Sequence, residues 1–353
     1  MASSPPAAAD AATAADATSF REQLDAIKTL CQQDKLLLAY RALCTLEAQL
    51  ITPENTCRVS DEDDVAAGEA ADMLAEINTN HDIRVMRATA EAVLHVREDL
   101  DAVEAWTLQR QDDNSTTYYR LEDDSPFVCV RVEGWIDEPL RQIMAVLYEV
   151  EYHPEWLPSA FSLGVAESRV VYNLHRTKLW THMRVRLPWP FSNRCGDLFV
   201  DGVDCMEPTE ARRQIVIMMN SVNDDTHLEA LRQRFGRTDL AIPQDAADAG
   251  AVPLEVTHTA FLLTPAEINA DMDRRSGTFV QFTARIDAKF DALPACAINV
   301  GVKNLAHLLI ARMAEQARKV PSDARYQACM AEHSDFYDFI DQRMAECGLA
   351  RTD

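Results

Sequence analysis

The 353-residue chain is long enough for more than one domain of roughly 100–200 residues. Apolar residues make up 47% of it, enough for a sizeable core, yet no run reaches the roughly 18 unbroken apolar residues of a membrane span. The formal charge of -23 repels phosphate backbones and anionic membranes, so nucleic-acid binding is excluded as a general activity and membrane contact must be local, apolar and transient.

Residues 1–18 are rich in Ala, Ser and Asp and contain no Lys or Arg. They match neither a secretory signal nor a mitochondrial presequence, and read as a disordered tail on a cytoplasmic protein. Nine cysteines are scattered without a CxxC pair or zinc-type spacing. An odd count in such a chain fits reduced thiols, several of them buried.

Residues 19–105 read as helical. Ser19 and Glu22 form a capping-box pattern ahead of Phe20, Leu24, Ile27, Cys31, Leu38, Leu43, Leu46 and Leu50 at helical spacing. Gln32-Gln33-Asp34 breaks that run, and Pro53-Glu54-Asn55 ends it. Acidic residues 61–64 suit a helix start, and another helix is predicted over 81–100.

From Trp106 the texture changes to short alternating stretches. Strands are predicted at 116–120, 127–134, 169–174, 179–187, 198–203, 214–222, 254–263 and 278–290, with a short helix over 139–150. Most connections are too short for crossover helices, so sequential neighbours should pair antiparallel. The exception, 223–252, is a long insertion with a possible helical turn at 228–231 and an Ala/Asp-rich second half that reads as disordered. Pro294 then opens a run to Lys319 with Ile298, Val302, Leu305, Leu309 and Met313 on one stripe, about 37 Å of helix stopped by Pro321. A final helix and tail occupy 321–353. The fold class expected is therefore α+β: a curved antiparallel sheet gripping a long C-terminal helix over 106–320, preceded by an all-helical region.

A curved sheet cannot close its concave face alone, and a helix laid across it leaves an apolar hollow suited to a hydrocarbon ligand. Along 179–187, Leu179, Thr181, Met183, Val185 and Leu187 alternate with Trp180, His182, Arg184 and Arg186, which puts the first set inward and the second toward solvent. Val280, Phe282, Ala284, Ile286, Ala288 and Phe290 form a second inward set, in which the alanines would leave space. A lipid hydroxyl or head group needs a polar partner. His258, in register with Val256, Ala260 and Leu262, and Thr181 are the candidates. The expected cavity set is Thr181, Met183, Val185, Leu187, His258, Phe282, Ile286, Ile298, Val302 and Leu305.

Trp189-Pro190-Phe191-Ser192-Asn193-Arg194, followed by Asp197, resembles a segment of START (StAR-related lipid transfer) domains, with Cys195 and Gly196 separating an Arg and an acid that many members carry side by side. Val132-Glu133-Gly134 before the 139–150 helix, Pro154-Glu155-Trp156-Leu157-Pro158, and Leu293-Pro294 before the long helix are similar to the same family within the wider Bet v1-like superfamily. The resemblance covers roughly 106–319. It implies a helix-grip domain holding one lipid (sterol, phospholipid or sphingolipid) for intracellular transfer or sensing, with no metal and no cofactor besides that ligand. It also implies that loop 187–193, with Trp189 and Phe191, gates the cavity at a membrane. No nucleophile elbow or phosphate-cradling glycine loop is present, and catalysis is not expected. Two alternatives stay open: a cavity enzyme of the superfamily, and an adaptor that captures a protein partner through residues 19–105.

Overall fold

The computed structural model describes residues 19–51, 61–122, 125–159, 164–244, 249–266, 277–289 and 306–349. They form two compact units, Met1–Ala90 and Glu91–Asp353.

The first unit is helical. Helix α1 (Phe20–Gln32) opens with the predicted capping box: Ser19 Oγ accepts from the Glu22 amide, and Glu22 accepts from the Ser19 amide. Asp34, at φ 60°, turns the chain into α2 (Leu36–Leu50). Helices α3 (Asp61–Thr79) and the start of α4 (His81–Asp101) follow. Leu24, Ile27, Leu43, Leu46, Ile77 and Met86 bury their side chains, while Glu76 binds Arg21 and Lys28 at the surface.

The second unit is built on a ten-stranded sheet: β1 (Thr107–Gln111), β2 (Ser115–Leu121), β3 (Val128–Ile136), β4 (Gly164–His175), β5 (Lys178–Arg186), β6 (Arg194–Cys205), β7 (Gln214–Ser221), β8 (Val252–Pro253), β9 (Glu255–Pro265) and β10 (Thr278–Asp287). Their order is β1-β2-β3-β10-β9-β7-β6-β5-β4, antiparallel throughout, with short β8 alongside β6 as the one parallel pair. Strand β1 was not anticipated, because Thr107–Gln111 is exposed along its whole length and carries no alternation. Helices α5 (Leu140–Tyr148), one-turn α6 (His153–Trp156), α7 (Asp225–Phe235), α8 (Leu308–Lys319), α9 (Ala324–Glu332) and α10 (Ser334–Glu346) complete the unit.

Leu309, Ile310, Met313 and Ala317 of α8 bury themselves with α5 and with Val130 and Val132 of β3. This is the gripping arrangement expected of a helix following the last strand. Gly134 permits it, since a Cβ there would stand 2.3 Å from the Asn114 carbonyl and 3.1 Å from Ile310. Of the predicted 295–319 helix, residues 295–305 lie outside the described residues, and with them Ile298, Val302 and Leu305. The single helix expected after Pro321 is two helices, divided at His333.

In the 223–252 insertion the helical turn expected at 228–231 is part of α7, which extends over Asp225–Phe235, while 245–248 of the half read as disordered lie outside the described residues. Asp224 caps α7 by accepting from the His227 amide, and Gly236, at φ 62°, ends it. Leu228, Leu231 and Leu240 bury Trp180, Phe199 and Val222 beneath them. The face of β5 assigned to solvent is therefore covered at Trp180, and His182 on the same face is buried too. Both donate toward Asp197 Oδ1, at 3.3 Å and 3.2 Å.

Candidate ligand cavity

Period-two patterning on four adjacent strands creates one apolar wall. Leu179 and Thr181 of β5 stand opposite Val200 and Leu198 of β6. Val200 and Gly202 stand opposite Met219 and Ile217 of β7, and Ile217 opposite Phe261 of β9. Met144, Leu147 and Tyr148 of α5 and Phe336, Phe339 and Ile340 of α10 close the space above this wall. The cavity volume is about 90 Å³. Among the described residues no Lys or Arg lines it, and four methionines do: Met144, Met183, Met206 and Met219.

The hollow lies under the β5–β6–β7–β9 half of the sheet and is closed by α5 and α10. The described residues of α8, expected to form its roof, pack into the core beside β3. Leu309, Ile310 and Met313 share the buried core with Val280 of β10, whereas β6 contributes Gly202 to the lining of the hollow.

Of the predicted lining, Thr181 and Met183 face the cavity. Val185 and Leu187 are half-buried beyond its rim, and the Leu187 amide donates to Asn193 Oδ1 at 3.3 Å, closing the 187–193 loop. Phe282 rests on Phe261 with ring centroids 4.5 Å apart, one strand behind the wall. Ile286, paired with Val128 and Val256, is half-buried and further off. In the loop, Trp189 is 92% exposed while Phe191 is half-buried.

His258 is elsewhere. A bulge puts two residues of β9, His258 and Thr259, against Ala284, and His258 takes φ 47°. The bulge breaks the alternation: Val256 pairs with Ile286, whereas Ala260 pairs with Thr283 on the other face. His258 therefore lines a separate polar space of about 320 Å³ with His95, Asp99, Arg120, Glu122, Cys129 and Arg285. Its ring meets that of His95 at 5.5 Å, and burial together with His95 and Arg285 pushes its pKa down. Arg285 clasps Glu122 from 2.8 Å and holds its carboxyl down at about 2; Arg120 binds Asp99 at 2.6 Å. No group of three potential metal ligands is placed to hold an ion among the described residues.

The resemblance segment has its own geometry. Arg194 Nε donates to the Ala288 carbonyl at 2.6 Å, and its other nitrogens to the Ser192 and Lys289 carbonyls, so this guanidinium ties the loop to the end of β10. Asp197 serves Trp180 and His182 instead.

The polar groups in the cavity wall were mostly invisible to patterning. Asp204 binds Arg343 of α10 and accepts from the Met206 amide; burial pushes its pKa up and Arg343 opposes this. Behind the wall the buried Glu149 carboxylate accepts from Tyr337 Oη at 2.7 Å and meets His333 Nδ1 at 3.1 Å. Both partners come from α10 or its cap. His153 lines the cavity, and burial holds its pKa down at about 4. No sequence pattern singles out His153, because its place in the wall depends on a one-turn helix that no periodicity announces.

The second unit is thus an α+β helix-grip domain with an apolar hollow. No family model matches the chain, and no curated protein matches it in sequence. Among solved structures it is similar to human STARD10 (17% identical, TM-score 0.48, 65% of this chain and 79% of that chain covered). It is also similar to a STAR-related lipid transfer protein fragment from Xanthomonas axonopodis (19%, 0.44, 61% and 99%) and to human StAR-related lipid transfer protein 5 (12%, 0.46, 65% and 96%).

Proposed function

We propose that this chain binds a single lipid in the cavity between β5, β6, β7, β9 and helices α5 and α10, and that it acts in lipid transfer or sensing in the cytoplasm rather than as an enzyme. The observation that carries this reading is a hollow whose described lining is almost wholly apolar and holds no Lys or Arg. Water gains little there, whereas hydrocarbon gains about 25 cal/mol for each Å² it removes from water.

At about 90 Å³ the hollow is smaller than the roughly 300–1,000 Å³ of sites that enclose ligands, so a lipid must displace part of the wall. The wall is suited to this. Methionine is unbranched and repacks readily, and four line the space. The exposed Trp189 provides an apolar, amphipathic ring for transient membrane contact despite the negative charge. An acid–base enzyme needs titratable groups converging on a substrate. Here Asp204 is matched by Arg343, and His153 is held neutral. No described helix is long and apolar enough to cross a membrane.

Native mass spectrometry of the purified chain, before and after incubation with mixed liposomes, tests the reading. A single lipid adduct is expected. Absence of any adduct under both conditions overturns it.

A further inference from the structure

Arg120 of β2 pairs with Cys129 of β3, Cys129 with Arg285 of β10, and Arg285 with Thr257 of β9. Paired residues share a face of the sheet. Val130 and Val280 alternate with this row and enter the core together with Phe261, so the row lies on the side of the sheet opposite the apolar hollow. The polar space of about 320 Å³ opens over it, and His95 and Asp99, one turn apart on the part of α4 that belongs to the second unit, line its other side. That volume falls within the roughly 300–1,000 Å³ of sites that enclose small ligands. The charged groups are matched in pairs: Arg285 with Glu122, and Arg120 with Asp99. The His95 and His258 rings meet each other at 5.5 Å, and among the described residues neither ring makes a hydrogen bond. His258 reaches this space from a backbone at φ 47°, a conformation strained for a residue with a Cβ, which is held by its amide donating to Asn220 Oδ1 at 3.1 Å.

A protonated imidazole donates from both nitrogens. Two such rings, converging beside two guanidiniums, suit an anion. Burial, then His95 and Arg285, hold the pKa of His258 down, and these two positive groups outweigh Asp99 and Glu122 at that ring. A cation would meet the same field, and a neutral molecule would leave it unused. Each carboxylate is already neutralised by its arginine, so an incoming dianion adds its charge to the imidazoles instead of competing for the guanidiniums. We propose that this space binds the phosphate group of a small, water-soluble phosphomonoester, with His95 and His258 protonating to donate to its oxygens. The other charged or titratable groups facing the two rings are Asp99 of α4, Arg120 and Glu122 at the end of β2, Cys129 of β3 and Arg285 of β10. A soluble molecule is favoured over a lipid head group because a small anion is screened from distant surface charge within about 8–10 Å, whereas an anionic bilayer meets the whole charge of -23. Binding takes up protons, so affinity rises as pH falls.

Calorimetric titration of the full chain with inorganic phosphate, glycerol phosphate and sulfate at pH 8 and pH 5.5 tests this. Phosphate and glycerol phosphate are expected to bind. Sulfate stays a dianion across the range, so its pH dependence reports the protein alone. It is expected to bind about tenfold or more tighter at pH 5.5, the gain that one charge-assisted hydrogen bond brings. Sulfate should also raise the pKa of both imidazoles in an NMR titration of the native chain. His95→Gln and His258→Asn, each checked for folding by thermal melt, should lose most of the tenfold gain; asparagine accepts the positive φ at 258. If neither variant folds, the imidazole titration in the native chain decides. Failure of all three anions to bind, equal sulfate affinity at both pH values, variants that keep the gain, imidazole pKa values unmoved by sulfate, or capture only by phosphatidylcholine vesicles carrying phosphatidic acid overturns the proposal. None of these results bears on the lipid reading, which concerns the opposite face of the sheet.

Discussion

His153 couples the cavity to pH. Its folded pKa, about 4, lies below the ordinary 6.5, so between these values the unfolded chain holds a proton that the folded chain does not. Stability from this residue is complete above about pH 6.5, falls with pH, and is lost by about pH 4; the whole effect amounts to at most about 3 kcal/mol. Thermal melts at pH 7 and pH 5 should show a larger acid loss in the native chain than in His153→Phe; equal losses would refute the assignment. Tyr337 acts by a different route. Its hydroxyl donates to Glu149, a carboxylate almost fully withdrawn from water. Tyr337→Phe removes that donor and should cost about 1–3 kcal/mol in urea unfolding, with little change in m-value.

At the scale of elements, α7 shows what a cap accomplishes. An 11-residue helix is marginal alone in water, and this one persists because Leu228 and Leu231 bury Trp180 and because Asp224 and Gly236 fix its ends. Asp224→Ala should cost about 1 kcal/mol and increase amide exchange across 225–235 before the sheet opens. Gly134 serves the β3–α8 contact. Gly134→Ala forces a methyl toward the Asn114 carbonyl and Ile310 and should destabilise the fold by about 1–3 kcal/mol in chemical unfolding.

On the function proposed above, the net charge of -23 disfavours broad contact with anionic membranes and leaves any such contact to local apolar groups. With Trp189 92% exposed, Trp189→Ala should slow lipid transfer between vesicles severalfold while leaving equilibrium lipid binding in solution unchanged. An unchanged transfer rate would remove this loop from the membrane step. Helix α10 matters at the same scale: Phe336, Phe339 and Ile340 fill the cavity from one side, while Tyr337, Arg343 and Asp341 fasten the helix to Glu149, Asp204 and Arg141. Wall and clasp are thus carried by one element near the end of the described chain.

Local chemistry in the sequence determined the capping box at Ser19, the break at Asp34, the strands from β2 onward other than the two-residue β8, and the inward placement of Thr181 and Met183. Each depends on neighbours within a few residues, and period-two or helical spacing reports them directly. What the sequence could not determine depends on partners far along the chain. The bulge at His258 shifts the face count by one residue without any local sign, so a histidine read as a cavity contact lies in a separate polar space. The polar face of β5 is covered because α7, some fifty residues later, folds over Trp180. The described walls of the hollow come from strands and helices up to 196 positions apart, from Met144 to Ile340, and only their packing fixes where volume is left unfilled.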